Sequence, residues 1–193
     1  MARMAVLAGA LSGFLGCAAP EAPLHGMVID PPQEAPVIRI ADAGGVVFDL
    51  DAERGRRSVV LFFGYTHCPD VCPTTLADWA RASKALGKAA NGVRFVFVSV
   101  DPERDTPQVA HDYARQFDST FVGLSPTIAQ LDTMKTSWAM PVRREDMPGM
   151  KAGEYGVAHP AGSFLIDRKG RIREILPPNT TPADLASDLR RVR

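Results

Sequence analysis

Residues 62–73 constrain the fold of this chain more than any other stretch. They read Phe62-Phe63-Gly64-Tyr65-Thr66-His67-Cys68-Pro69-Asp70-Val71-Cys72-Pro73. Residues 58–63 have the pattern of a buried strand, which breaks at Gly64. Two thiols follow, four residues apart, with Pro69 and Pro73 beside them. Leu76, Trp79, Ala80, Ser83, Leu86 and Gly87 then recur at helical spacing, which predicts a helix over about 73–90. Proline suits a first helical turn, where its missing N–H would be unpaired in any case. The thiols therefore fall where a strand hands over to a helix. If one turn holds both, residues i and i+4 share a face and can share an ion or form a disulfide. Helix N-termini also lower thiol pKa values, so the site is expected to be reactive.

A length of 193 residues suits one domain with tails, and a zero net charge gives no electrostatic basis for binding nucleic acid or an anionic surface. Three cysteines are too few for a disulfide scaffold, and the third, Cys17, has a separate reading. Residues 4–16 form a short apolar run behind Arg3, which suits a signal peptide better than a bilayer span. Phe14-Leu15-Gly16-Cys17 resembles a bacterial lipoprotein cleavage box, with Phe14 where leucine is usual. The expectation is a signal peptide over 1–16 and a lipidated Cys17; plain secretion and an uncleaved anchor are the alternatives. Either export route puts the thiols outside the cytoplasm, where a metal or a reductant is needed to keep them from the disulfide state. Residues 17–36 are rich in Pro, Ala and Glu and read as a flexible tether, with His25 and Met27 as solvated linker residues.

Beyond residue 36 the chain alternates strand and helix signals. Residues 37–40 and 46–50 flank Asp42-Ala43-Gly44-Gly45, a hairpin pattern. A strand at 93–100 is strongly β-prone, and Thr106-Pro107 opens a helix to about 117. A short strand at 121–124 precedes a helix from Ser125-Pro126 to about 139, with Ile128, Leu131, Met134 and Trp138 as its apolar stripe. Residues 140–158 read as a long loop. A second hairpin, 163–167 with 172–176, and a helix from Thr181-Pro182 with Leu185 and Leu189 inward complete the chain. This order predicts an α/β sheet with helices on both faces.

Three blocks resemble the Sco/SenC family, copper-carrying assembly factors for cytochrome oxidase with a thioredoxin-like fold. The first is Gly64 with Tyr65-Thr66-His67-Cys68-Pro69-Asp70-Val71-Cys72-Pro73. The second is Ser99-Val100-Asp101-Pro102-Glu103-Arg104-Asp105-Thr106-Pro107. The third is Val157-Ala158-His159, followed by Phe164-Leu165-Ile166-Asp167 and Gly170, with Pro160 where serine or threonine is expected. The resemblance implies a thioredoxin-like domain over 37–193, with a central mixed sheet flanked by helices and an added N-terminal hairpin. It implies copper, as Cu(I) and also as Cu(II), held by Cys68, Cys72 and His159, with the His159 loop packed against the start of the first helix. The signal peptide and a lipidated Cys17 give the expected location, the cell envelope, with the domain anchored to the membrane and facing the periplasm or the outer side of the cytoplasmic membrane. The copper-bearing subunit of cytochrome c oxidase is the implied partner, with another periplasmic copper chaperone as a second.

Soft copper(I) favours thiolate and accepts imidazole at low coordination number, whereas zinc would usually want a fourth ligand that the sequence does not offer. The thiols could instead form a structural disulfide or a metal-free dithiol redox pair, and the second reading makes the chain a thiol–disulfide reductase acting on oxidase-subunit or copper-chaperone cysteines. His67 reads as structural or as a modulator of thiol acidity, and His111 as solvated. Asp70 could face a partner or simply be solvated. Asp101 and Asp105 read as braces of their loop. Met140 reads as core, and Met147 and Met150 as surface thioethers, with soft ligation to copper as the alternative for all three.

Overall fold

The computed structural model describes residues 23–146 and 154–192. The sequence-predicted elements are present, and two further pieces of β structure join them. Strand β1 (Met27–Glu34), the hairpin β2 (Arg39–Ala41) and β3 (Val47–Asp49), strand β4 (Ser58–Gly64) and helix α1 (Val71–Leu86) come first. Strand β5 (Val93–Ser99), helix α2 (Pro107–Arg115), strand β6 (Val122–Leu124) and helix α3 (Ile128–Ser137) follow. The chain ends with β7 (Arg143–Glu145), β8 (Gly156–Ala158), β9 (Ser163–Ile166), β10 (Arg171–Leu176) and α4 (Pro182–Arg191).

Six strands form one mixed sheet in the order β1-β10-β9-β4-β5-β6. Strands β4, β5 and β6 run parallel, while β9, β10 and β1 are antiparallel to their neighbours. Every residue of β4 is buried, as its unbroken apolar pattern requires of a strand covered on both faces. Successive side chains point to opposite faces, and Phe62 and Phe63 show what covers each. The Phe62 ring meets Trp79 of α1 at 6.2 Å and Phe97 at 6.4 Å, and Trp79 also packs on Phe95 and Phe121. Phe63 meets Trp138, at the end of α3, at 5.2 Å, and Phe164 at 6.0 Å. Helices α1 and α3 thus cover opposite faces, and α4 packs against α1. This is the central mixed sheet with flanking helices of a thioredoxin-like fold, and β2–β3 is the added N-terminal hairpin.

Several sequence expectations change. Residues 27–34, read as tether, form edge strand β1, which pairs Met27 with Ile175 and Glu34 with Arg171. The preceding His25 is tied down as well: its Nδ1 lies 2.8 Å from Asp188 Oδ1, and its backbone N–H donates to the same carboxylate. Residues 143–145 and 156–158, read as loop, pair as a separate two-stranded hairpin. Helix α1 ends at Leu86 because Gly87 turns to φ +59°, and a 3-10 turn, Gly87–Gly92, completes the connection. Ile128 is exposed, because a capping box between Thr127 and Gln130 sets it on the first, solvent-facing turn of α3.

Candidate metal and dithiol site

The site forms where β4 ends. Gly64 is the last residue of that strand, and the Cys72 sulfur packs against it. A Cβ on Gly64 would lie 3.0 Å from Cys72 Sγ and 2.8 Å from the Phe62 and Phe97 rings, so only glycine allows this approach. Helix α1 begins at Val71, and the carboxylate of its N-cap residue, exposed Asp70, makes no capping bond. The cap is instead a sulfur: the Cys72 N–H donates to Cys68 Sγ at 3.4 Å. Cys68 therefore sits just outside the helix, half-buried, and Cys72 inside its first turn, fully buried.

Both are free thiols, and their environments drive them apart. The hydrogen bond from Cys72 is the largest influence on Cys68. With the N–H groups of Asp70 and Cys72 and the field of His159, it outweighs burial and lowers the Cys68 pKa to about 5. The same bond, with burial and the neighbouring thiolate, pushes Cys72 far up. At neutral pH the pair thus shares one negative charge, held on the outer sulfur.

His159 follows β8 and lies edge-on to the Phe62 and Tyr65 rings, each with its centroid 5.9 Å away. Burial lowers its pKa, so the imidazole is neutral near pH 7. Its Nδ1 is 2.9 Å from the Pro160 carbonyl, which can only accept; Nδ1 therefore carries the proton and Nε2 keeps the lone pair. Proline at 160 thus serves the imidazole through its carbonyl. His159 lies near enough to influence Cys68, and two soft sulfurs with one neutral nitrogen are a donor set that suits copper(I). Among the described residues, no three His, Cys, Asp or Glu side chains are grouped so that they could hold a metal ion.

Asp105 organises the loop that carries Cys68. Its buried carboxylate accepts from the Thr66 N–H at 2.9 Å, the Thr66 hydroxyl at 2.6 Å and the Ser99 hydroxyl at 2.6 Å. His67 is exposed, with Nδ1 3.1 Å from Thr66 Oγ1 and 3.6 Å from Asp105 Oδ1, so it belongs to this brace. Asp101 accepts from Arg104 Nε at 2.5 Å and from the Tyr155 hydroxyl at 2.9 Å. Both aspartates brace, as their loop position predicts, and Asp105 reaches across to the dithiol loop. Met140 is buried core. His111 is half-buried in a surface hollow with Asp42, Arg115 and Thr120. Cys17, Met147 and Met150 lie outside the described residues.

Sequence reasoning missed Tyr65, Arg104 and Tyr155. Tyr65 is buried at the centre: its N–H bonds Cys72, and its hydroxyl is in hydrogen-bonding contact with Cys68 and with the backbone of Val157. The Gly64-Tyr65 step beside the dithiol was a signal that could have pointed to it. Arg104 and Tyr155 meet across 51 residues of sequence and leave no local signature.

Fold and site together define a thioredoxin-like domain with an asymmetric Cys-x-x-x-Cys pair and a histidine brought in from the last third of the chain. Residues 39–193 match the model of the SCO1/SenC family, and the chain belongs to that family. An SCO2-like protein of Rickettsia felis is 30% identical over 189 residues, covering 94% of this chain and 89% of its own. The apo Sco1 protein of Thermus thermophilus superimposes with a TM-score of 0.79 at 32% identity, covering 91% of this chain and 100% of its own. ScoI of Bradyrhizobium japonicum, solved with copper bound, gives 0.74 at 36% identity, covering 83% and 99%.

Proposed function

We propose that this protein is an envelope-anchored copper chaperone that carries copper on Cys68, Cys72 and His159 and assists its insertion into cytochrome c oxidase. The observation that carries the reading is the pairing of an acidic, half-buried Cys68 with a neutral His159 whose Nε2 lone pair is free. Binding needs to remove only one further proton, from Cys72, because Cys68 is already a thiolate at neutral pH. The copper-bound state of the Bradyrhizobium relative supports copper as the cargo. Copper(I) is the form that two thiolates and an imidazole favour, with copper(II) as a second form. The partners follow from this reading: the copper-bearing oxidase subunit, and a second periplasmic copper chaperone. Cys17 as a lipidated N-terminus, after removal of residues 1–16, would hold the domain at the outer side of the cytoplasmic membrane; none of the described helices is long and apolar enough to cross one.

One observation favours a second reading, a thiol–disulfide reductase. A half-buried acidic thiol beside a buried, protonated one is the arrangement of an attacking and a resolving cysteine. His159→Ala separates the two, since it removes the nitrogen and keeps the dithiol. The chaperone reading expects cells with His159→Ala to lose oxidase metallation while dithiol–disulfide cycling survives. Normal oxidase in those cells, with failure in Cys68→Ser cells, would establish the reductase.

A further inference from the structure

The hairpin that delivers His159 stands apart from the main sheet. Among the described residues, strands β7 and β8 pair in a ladder only with each other. Val157 of β8 is buried in the core and its backbone bonds the Tyr65 hydroxyl; beside these attachments, a stack of side chains centred on Arg104 fastens the pair to the body of the domain. The guanidinium carbon sits 3.6 Å from the centroid of the Tyr155 ring, directly before β8, and 5.8 Å from that of Tyr65. Arg104 Nη1 donates to the Tyr155 carbonyl at 3.0 Å, and Nε to Asp101 at 2.5 Å. The Tyr155 hydroxyl donates to the other oxygen of Asp101 at 2.9 Å. Arg144 of β7 also lies over the Tyr155 ring, at 4.4 Å from its centroid, and pairs with Glu103.

Arg104 therefore touches both halves of the candidate site. Through Tyr65 it contacts the residue that bonds to Cys68 and Cys72 and faces the His159 ring. Through Tyr155 it holds the strand that ends one residue before His159. Arginine suits this place because its planar fork can stack on a ring while donating in its own plane, which an ammonium group cannot do. Three of these residues, Asp101, Glu103 and Arg104, lie on the loop between β5 and α2, a third segment separate from both ligand segments.

We infer that Arg104, clamped with Asp101 and Tyr155, is a positioning residue for the metal site, setting the reach of His159 over the dithiol. The inference rests on His159 being a ligand. The clamp touches no donor atom that would bind copper. Its effect is to keep the histidine arm docked, so that the nitrogen does not have to be ordered anew each time an ion enters.

The test is a double-mutant cycle on the full chain, read by Cu(I) affinity in competition with a chromophoric chelator, and by proton NMR of the copper-free protein. Residues around metal ligands typically change affinity by about tenfold to a hundredfold, and Arg104→Met, which keeps the stem and removes the fork, should fall in that range. In a His159→Ala background the same substitution should cost nothing more. Without copper, the His159 ring protons, shifted by the Phe62 and Tyr65 rings, should move toward ordinary values in Arg104→Met. Tyr155→Phe keeps the stack and loses only the bond to Asp101; it should show a smaller change of the same kind, and it carries the test if Arg104→Met does not fold. An equal loss of affinity with and without His159 would overturn the inference, since Arg104 would then act through the dithiol or the fold. If His159→Ala alone leaves affinity unchanged, the ligand assignment fails, and unmoved ring shifts in Arg104→Met would overturn the positioning role independently.

Discussion

Replacing Cys72 by alanine removes the group whose hydrogen bond contributes most to the acidity of Cys68. In the wild type, Cys68 is lowered from the ordinary 9.0 to about 5. A thiol at 9.0 is about 1% ionised at pH 7 and about 0.01% at pH 5, whereas Cys68 is about 99% and about half ionised. Nucleophilicity per thiolate falls with pKa along a slope of about 0.4–0.5, so a four-unit drop lowers it about 40- to 100-fold. The two effects nearly cancel at pH 7 and separate at pH 5, where Cys68 should react about 50- to 100-fold faster than an ordinary thiol. Peptide-resolved mass spectrometry of alkylation by iodoacetamide between pH 4 and 10 measures this. The wild-type rate should plateau above about pH 6, with a midpoint near 5. Cys72→Ala should move the midpoint up without restoring 9.0, because the N–H of Asp70, the backbone N–H of residue 72 and His159 remain. A wild-type midpoint at or above 8, or one that Cys72→Ala leaves in place, would refute the account of Cys68 acidity.

Other consequences can be checked separately. Gly64→Ala would force a methyl group between two aromatic rings and the Cys72 sulfur, and should destabilise the domain by about 1–3 kcal/mol in chemical denaturation and displace Cys72. Asp105→Ala strands three donors, two from Thr66 and one from Ser99, and should cost about 3–5 kcal/mol by the same measurement. Burial and the adjacent Asp188 raise Glu174 to about 7, and the Asp188 bond raises His25. A group raised on folding adds stability that is lost as pH rises toward its folded value, whereas the lowered Cys68 adds stability over the same range, so the thermal midpoint of the wild type relative to Glu174→Gln should fall as pH rises from about 4.5 to about 7. Mass spectrometry of membrane-derived protein should find a diacylated Cys17 and no residues 1–16; a soluble product with another N-terminus would overturn that reading.

The sequence made the sheet and its covering helices legible wherever burial imposed a period. Strand β4 is apolar on both faces, and α1 shows its stripe at Leu76 and Trp79, so both could be read from local pattern. Strand β1 could not, because it is an edge strand. It joins β10 through main-chain bonds, carries Pro31 and Pro32, and leaves most of its side chains in solvent. Strand β7 is hidden for a related reason: Arg143, Arg144 and Glu145 have no apolar face, and pairing with β8 alone makes them a strand. The site divides in the same way. Cys68 and Cys72 announce themselves by spacing, and His159 becomes visible only through the motif around it. Arg104 and Tyr155 are joined by stacking between distant segments, which no periodicity records.

Copper stoichiometry of the purified, fully reduced protein tests the central claim most directly. Cu(I) should bind at about one ion per chain. Oxidation of the pair to a disulfide, Cys68→Ser or Cys72→Ser should each abolish tight binding, because the two sulfurs that would hold the ion are those consumed or removed. His159→Ala should weaken binding and leave the stoichiometry near one, since both thiolates remain. Because binding displaces the Cys72 proton, it should weaken as pH falls across the neutral range, and more steeply below about 5, where Cys68 also takes up its proton. Full stoichiometry and undiminished affinity in Cys68→Ser or Cys72→Ser, or in the oxidised protein, would contradict the assignment of the metal site.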